Sequence, residues 1–247
     1  MILRVEQVMG MPVRADVRSP VAGGVLDAVF AWLRDVDARF SPFRPDSAVA
    51  RRARGEAAPD AELDAVLARC ATLRAATGGY FDARAGGALD PSALVKGWAV
   101  DRAAALLDAA GVRRWCLDAG GDVRVRGGGW RVGIRHPEER HRLAGVLALD
   151  DGAVATSGAY ERGLHVLDPH TGRPPRGVRA VTVVGPELAT ADAYATAAFA
   201  MGARGPAWTA TLRGHGAMTV LDDDRVLATP SFLAHCPGGS LAASLAA

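Results

Sequence analysis

The chain has 247 residues, with 29 basic against 27 acidic side chains and a formal charge of +2. That is length for one large domain or two small lobes, and it excludes the clustered basic surplus of a dedicated nucleic-acid binder. Three widely spaced cysteines, Cys70, Cys116 and Cys236, form neither a disulfide framework nor a zinc pattern and suit a reducing compartment.

The N-terminal run "MILRVEQVMGMPVRADV" lacks the basic start and long apolar core of a signal peptide, and no segment reaches the length of a membrane span. A cytoplasmic protein without stable membrane insertion is expected. Leu3 to Val17 reads as one or two short strands around "MGMP". Apolar residues at 26, 29, 30, 33, 36 and 40 predict a helix from Leu26 to Phe40, which the prolines of "SPFRPDS" end. Ala61 to Ala76 is a second amphipathic helix, stopped by Gly78-Gly79. After the loop "YFDARAGGALDPSA", a third helix is expected over Lys96 to Ala110. Short strands follow at 114–117, 123–125, 130–135, 146–149 and 153–156, with Gly-rich turns between them. A polar loop over 161–179, a β-branched strand at 181–184, a helix at 191–201, a hairpin in "MTVLDDDRVLAT" and a terminal segment "SLAASLAA" complete the chain. Hairpin-like strands mixed with separate helices indicate an α+β fold with largely antiparallel sheets. The dinucleotide and P-loop glycine motifs are both missing.

Four stretches hold polar residues that packing alone does not explain. In "LDPSALVKGWAVD", Lys96 is the only lysine of the chain. At the opening of a helix a cation is disfavoured by the macrodipole, which suits a lysine facing a bound anion; the alternative is a surface residue drifted from Arg. In "LATADAYATAAFAMG", Asp192 and Thr196 are four apart and share a helix face. They offer two hard oxygens of the kind Mg²⁺ takes, or else the carboxylate simply favours the helix start and the threonine packs. In "TSGAYERGLHVLDPHTGRP", His165 stands where a strand could meet a loop and could take a proton at neutral pH, although a lone histidine is more often structural. In "CLDAGGDVRVRGG", Gly120-Gly121 permits a tight turn or a close backbone approach to a ligand.

In chain order, "MGMP", "FSPFRPDS", "TGGYFD", "LDPSALVKGWAVD", "LDAGGDVRVRGG", "TSGAYERGLHVLDPHTGRP" and "VTVVGPELATADAYATAAFAMG" together resemble the ApbE family, the FAD:protein FMN transferases. The resemblance implies one α+β domain over residues 1–247, with two intertwined lobes around a flavin cleft. It implies FAD as substrate, Mg²⁺ or Mn²⁺ as cofactor, and an acceptor protein whose threonine receives FMN as AMP leaves. By position it implies metal ligation by Asp192, Thr196 and the carbonyl of Ala93. Flavin nucleotide contacts would come from Met9, Phe43, Tyr80, Phe81, Asp82, Asp90, Lys96 and Val166, with Gly120 and Gly121 nearby and His165 as base. Beside a metal and phosphates, the compact ammonium of Lys96 fits where a planar guanidinium would not.

The chain departs from the family pattern in places. Met11 follows "MG" where members often have Thr, Phe43 stands for a tyrosine, and Asp118 precedes the double glycine where Asn is usual. Two further readings accompany transfer: hydrolysis of FAD to FMN and AMP at the same site, and flavin binding without chemistry.

Overall fold

Strand β1 (Ile2–Val8) turns through Met9 and Gly10 and returns antiparallel as β2 (Met11–Val17), with Val8 opposite Met11. One face of β2 buries Met11, Val13, Ala15 and Val17, the alternation of a half-covered sheet. The computed structural model describes residues 1–56, 59–139, 141–158, 166–239 and 241.

Helix α1 (Val25–Phe40) buries Leu26, Val29, Phe30, Leu33, Val36 and Phe40, the stripe that the sequence spacing predicts. A six-residue helix, α2 (Ala48–Ala53), follows a Ser47 cap; it is too short to leave a periodic signal and was not expected. Helix α3 (Ala61–Ala76) has the predicted bounds and is capped by Asp60, whose carboxylate accepts from the Glu62 and Leu63 N–H groups.

Helix α4 runs from Ser92 to Ala109, beginning four residues before the expected start. The Pro91 carbonyl already accepts from Leu94 and Val95, and Asp90 accepts from the Ser92 N–H. Lys96 therefore sits one turn inside the helix, not at its opening, and the macrodipole there no longer singles it out.

The remaining strands are β3 (Trp115–Ala119), β4 (Asp122–Arg135), β5 (Leu143–Gly158), β6 (Ala180–Gly185), β7 (Gly216–Val220) and β8 (Val226–Ala228). Each pairs antiparallel with the next in sequence, so the described residues form one eight-stranded sheet in order β1 to β8. The short strands expected between 123 and 156 are two long ones. Gly127 to Gly129 make no turn. They fall at a register shift between Arg126 and Trp130, inside β4. The Trp130 indole donates to the Arg126 carbonyl, and Asp150 accepts from the Gly129 N–H, so β4 and β5 stay paired on either side.

Helix α5 (Leu188–Ala200) is buried at ten positions, from Leu188 to Ala200. Its many alanines let it lie between α4 and the sheet, where it packs on β5 and β6. Two short helices, α6 (Gly205–Thr209) and α7 (Pro230–Leu233), flank β7 and β8. Odd residues of β5 and β6 (Ala153, Ala155, Val181, Val183) join the helical core. Their neighbours Val154 and Val184 join a smaller cluster with Trp130, Leu147, Met218 and Phe232 on the other face, so the odd–even alternation holds over residues 153–155 and 181–184 and not over the first half of β5. Among the described residues no helix is long and apolar enough to cross a membrane. Of the expected terminal segment, residues 240 and 242–247 lie outside the described residues.

Candidate functional site

Two hairpin turns stand side by side at one end of the sheet. Met9 (φ 54°) and Gly10 (φ 71°) link β1 to β2, and Gly120 (φ 63°) and Gly121 (φ 100°) link β3 to β4. Two consecutive positive φ values characterise the tight turn whose twist matches a hairpin. Because β2 pairs with β3, the Gly120 N–H donates to the Pro12 carbonyl and joins the turns. Asp118 accepts from the Gly121 N–H at 2.9 Å, and burial pushes its carboxyl above the ordinary range. Met11 packs on Gly120, where any Cβ would stand 2.9 Å from its sulfur.

These turns form one wall of a cleft of about 1080 Å³, lined by Met9 and Gly120 but not by Gly121. That is at the upper end of ordinary small-ligand pockets. Phe43, 85% exposed, stands in its lining. The Tyr80 to Asp90 loop forms another wall. Within it, Phe81 is buried, with its N–H on the Thr77 hydroxyl. The Tyr80 ring lies edge-on to His170, with the Arg204 guanidinium 5.2 Å from the ring centre and donating to the phenol. Asp82 pairs with Arg74 at 2.9 Å and accepts from the Arg84 N–H, while Asp90 sets the start of α4. Val166 also lines the cleft. His165 lies outside the described residues.

The floor is polar. Ala93 and Lys96 of α4, Thr156 and Ser157 of β5, and Asp192 and Thr196 of α5 all line it. The Lys96 ammonium pairs with Asp122 and lies 3.4 Å from Asp192 Oδ2. Asp122 is fixed by the Thr156 N–H, which donates to its Oδ1 at 3.0 Å. The Ser157 and Thr196 hydroxyls are 3.2 Å apart.

Two contacts between α4 and α5 bring these groups together. Gly97 lets the backbones touch at Leu188 and Ala189. One turn on, Asp101 accepts from the Leu188 and Ala189 N–H groups at 3.0 and 2.8 Å, capping α5 from outside. Burial pushes the Asp101 carboxyl up, opposed by those two N–H donors and by Arg124.

Among the described residues no group of three or more His, Cys, Asp or Glu side chains is placed to hold a metal. The donors present are the Asp192 carboxylate and the Thr196 hydroxyl, and Asp192 shares the Lys96 ammonium with a second buried carboxylate, Asp122. Hard oxygens of this kind fit Mg²⁺ or Mn²⁺, which take few protein ligands, and do not fit zinc.

Of the residues read from the sequence, Met9, Phe43, Tyr80, Phe81, Asp82, Asp90, Ala93, Lys96, Gly120, Val166, Asp192 and Thr196 share this one cleft. Asp122, Thr156, Ser157 and Arg135 were not singled out as site residues. Asp122 carried a signal as the residue after the double glycine, and Thr156 and Ser157 as the opening of "TSGAYERGLHVLDPHTGRP".

A family model described as the ApbE family matches residues 9–89 and 83–219. The chain belongs to the ApbE family. It is 41% identical over 160 residues to an FAD:protein FMN transferase of Rhodobacter capsulatus, covering 59% of this chain and 30% of that protein. The corresponding protein of Treponema pallidum is 34% identical over 171 residues, covering 60% of this chain and 47% of its own length. That of Vibrio cholerae is 34% identical over 129 residues, covering 46% and 39%. These matches span less than half of each relative. In three dimensions the ApbE protein of Thermotoga maritima superposes with a TM-score of 0.88 at 23% identity, covering 96% of this chain and 99% of that one. The flavin transferase ApbE of Vibrio cholerae does so at 0.85 and 23%, covering 95% and 98%. Both likenesses show that the α+β fold is the ApbE fold.

Proposed function

We propose that this protein transfers FMN from FAD to a threonine hydroxyl of an acceptor protein, with Mg²⁺ or Mn²⁺ as cofactor and AMP as the second product. The observation that carries the reading is the convergence of Lys96, Asp192 and Thr196 on one floor of the cleft, with Asp122 paired to Lys96. Membership of the ApbE family, whose relatives bear the name FAD:protein FMN transferase, supports it.

In this reading Asp192, Thr196 and the Ala93 carbonyl hold the divalent ion. When bound, it supplies charge stabilisation to the diphosphate and to the departing AMP. Lys96 meets the phosphate charge from α4, because a buried diphosphate needs cations around it. Phe43 and the Met9–Gly10 and Gly120 turns offer apolar and backbone surface to the rings. The acceptor oxygen forms a bond to the FMN phosphorus as the P–O bond to AMP breaks, and His165 accepts the hydroxyl proton. One domain of two intertwined lobes around the flavin cleft, in the cytoplasm, completes the reading; the free state of Cys70, Cys116 and Cys236 agrees with a reducing compartment.

The test is incubation with FAD, Mg²⁺ and a threonine-bearing acceptor domain, followed by intact mass and AMP assay. One FMN per acceptor and stoichiometric AMP are expected, and both should be lost in Asp192→Ala and Thr196→Ala. AMP with free FMN and an unmodified acceptor would replace transfer by hydrolysis. Bound FAD that survives unchanged would leave only flavin binding.

A further inference from the structure

Lys96 is set between two buried carboxylates that belong to different parts of the fold. Asp122 begins β4 and Asp192 lies on α5, and each side chain is 4% exposed. The ammonium pairs with Asp122 and is also 3.4 Å from Asp192. The two carboxylates are anchored in different ways. Asp122 is tied to β5 through the Thr156 N–H. Asp192 rides on a helix that Asp101, from the same helix as Lys96, caps. Lys96 is the long, flexible member of the trio, a compact charge on a four-carbon stem.

We propose that Lys96 is an exchangeable counter-ion. With no divalent ion in the cleft it is shared between Asp122 and Asp192. When a divalent ion engages Asp192, the ammonium is drawn wholly onto Asp122. Asp122 is then a positioning residue that acts through Lys96: it provides the ammonium with an alternative partner and so clears Asp192 for the ion. The exchange rests on the reading of Asp192 as a metal ligand.

The experiment is Mn²⁺ binding to the ligand-free protein, followed by electron paramagnetic resonance of the free ion, in a double-mutant cycle. Lys96→Met removes the competitor and should tighten Mn²⁺ binding, whatever becomes of its role toward FAD. Asp122→Asn keeps an acceptor for the Thr156 N–H but loses the charge that attracts the ammonium. It should weaken binding by about tenfold in the otherwise unchanged protein, and hardly at all in the Lys96→Met background. Weakening by the same factor in both backgrounds would mean that Asp122 acts as a plain negative charge, and would overturn the exchange. So would a Lys96→Met protein that binds Mn²⁺ no better than the parent; this arm stands alone should Asp122→Asn fail to fold. Asp192→Asn separates the two levels. If it binds Mn²⁺ as well as the parent, the metal reading itself falls, and the exchange with it. If it abolishes binding while the cycle shows no coupling, only the exchange falls.

Discussion

Gly97 on α4 lies against Ala189 on α5 so closely that a Cβ on the glycine would stand 2.7 Å from the Ala189 Cα. The next residue to Gly97 is Lys96, and three positions on from Ala189 is Asp192. The contact that brings the helices together is thus also what brings the ammonium to the carboxylate.

Gly97→Ala sets two effects against each other. Helix propensity favours alanine by about 1 kcal/mol. The methyl meets backbone atoms of Leu188 and Ala189, which cannot rotate away, and overpacking of this kind costs about 1–3 kcal/mol. The net expectation is a lower urea midpoint together with weaker Mn²⁺ binding. A variant as stable as the parent and with unchanged Mn²⁺ affinity would show that the close crossing does not hold the site.

Asp101→Ala leaves the Leu188 and Ala189 N–H groups without their acceptor. Loss of a helix cap costs about 0.5–2 kcal/mol. Asp101→Asn retains one side-chain oxygen and should lose less. Hydrogen exchange at the first turn of α5 is the direct measurement, with faster exchange expected in Asp101→Ala; unchanged protection would remove Asp101 as the cap.

Asp16 gives a pH dependence with a definite sign. The Arg18 guanidinium grips it through two bonds, Nε to Oδ1 at 3.1 Å and Nη2 to Oδ2 at 2.9 Å. Hydrogen bonding to Arg18 holds this carboxyl below its usual range, with burial acting the other way. A depressed folded-state pKa contributes stability above the unfolded value, and that contribution is lost as pH falls through the folded one. Asp16→Asn should therefore be less stable than the parent at pH 7, by about 1.5 kcal/mol for a charged hydrogen-bonded pair. The difference should close below about pH 4, where an unfolded aspartate protonates. Urea unfolding at both pH values checks it, and a gap that persists in acid would contradict the assignment.

The three thiols should be slow to react. Burial pushes Cys70 and Cys116 up to about 12 and raises Cys236 as well. Thiolate is the reactive form, so little is present near pH 8. A disulfide reagent at that pH should titrate almost nothing in the native protein and three thiols in denaturant. Rapid native labelling of Cys70 would mean that α3 opens.

Much of the fold was legible because its signals are local. The stripes of α1 and α3 repeat every three to four residues, and α3 has the bounds that its apolar spacing and Gly78-Gly79 predict. Where two local signals compete, the reading moved. The run "YFDARAGGALDPSA" reads as a loop to its end, yet the Pro91 carbonyl within it begins α4, so Lys96 does not occupy the helix start. Gly127 to Gly129 read as a turn, yet in the sheet they form an irregularity, because pairing with β5 continues on both sides.

The sequence by itself determined the α+β class, the family resemblance and the solitary Lys96, all of which are properties of residue order. Only the tertiary structure decided that Lys96 meets Asp122 as well as Asp192, and that Gly97 and Asp101 hold α5 in place. Those relations join positions far apart in the chain. No periodicity or propensity reports them, because they arise from how closely two helices cross and from which end of the sheet the turns occupy.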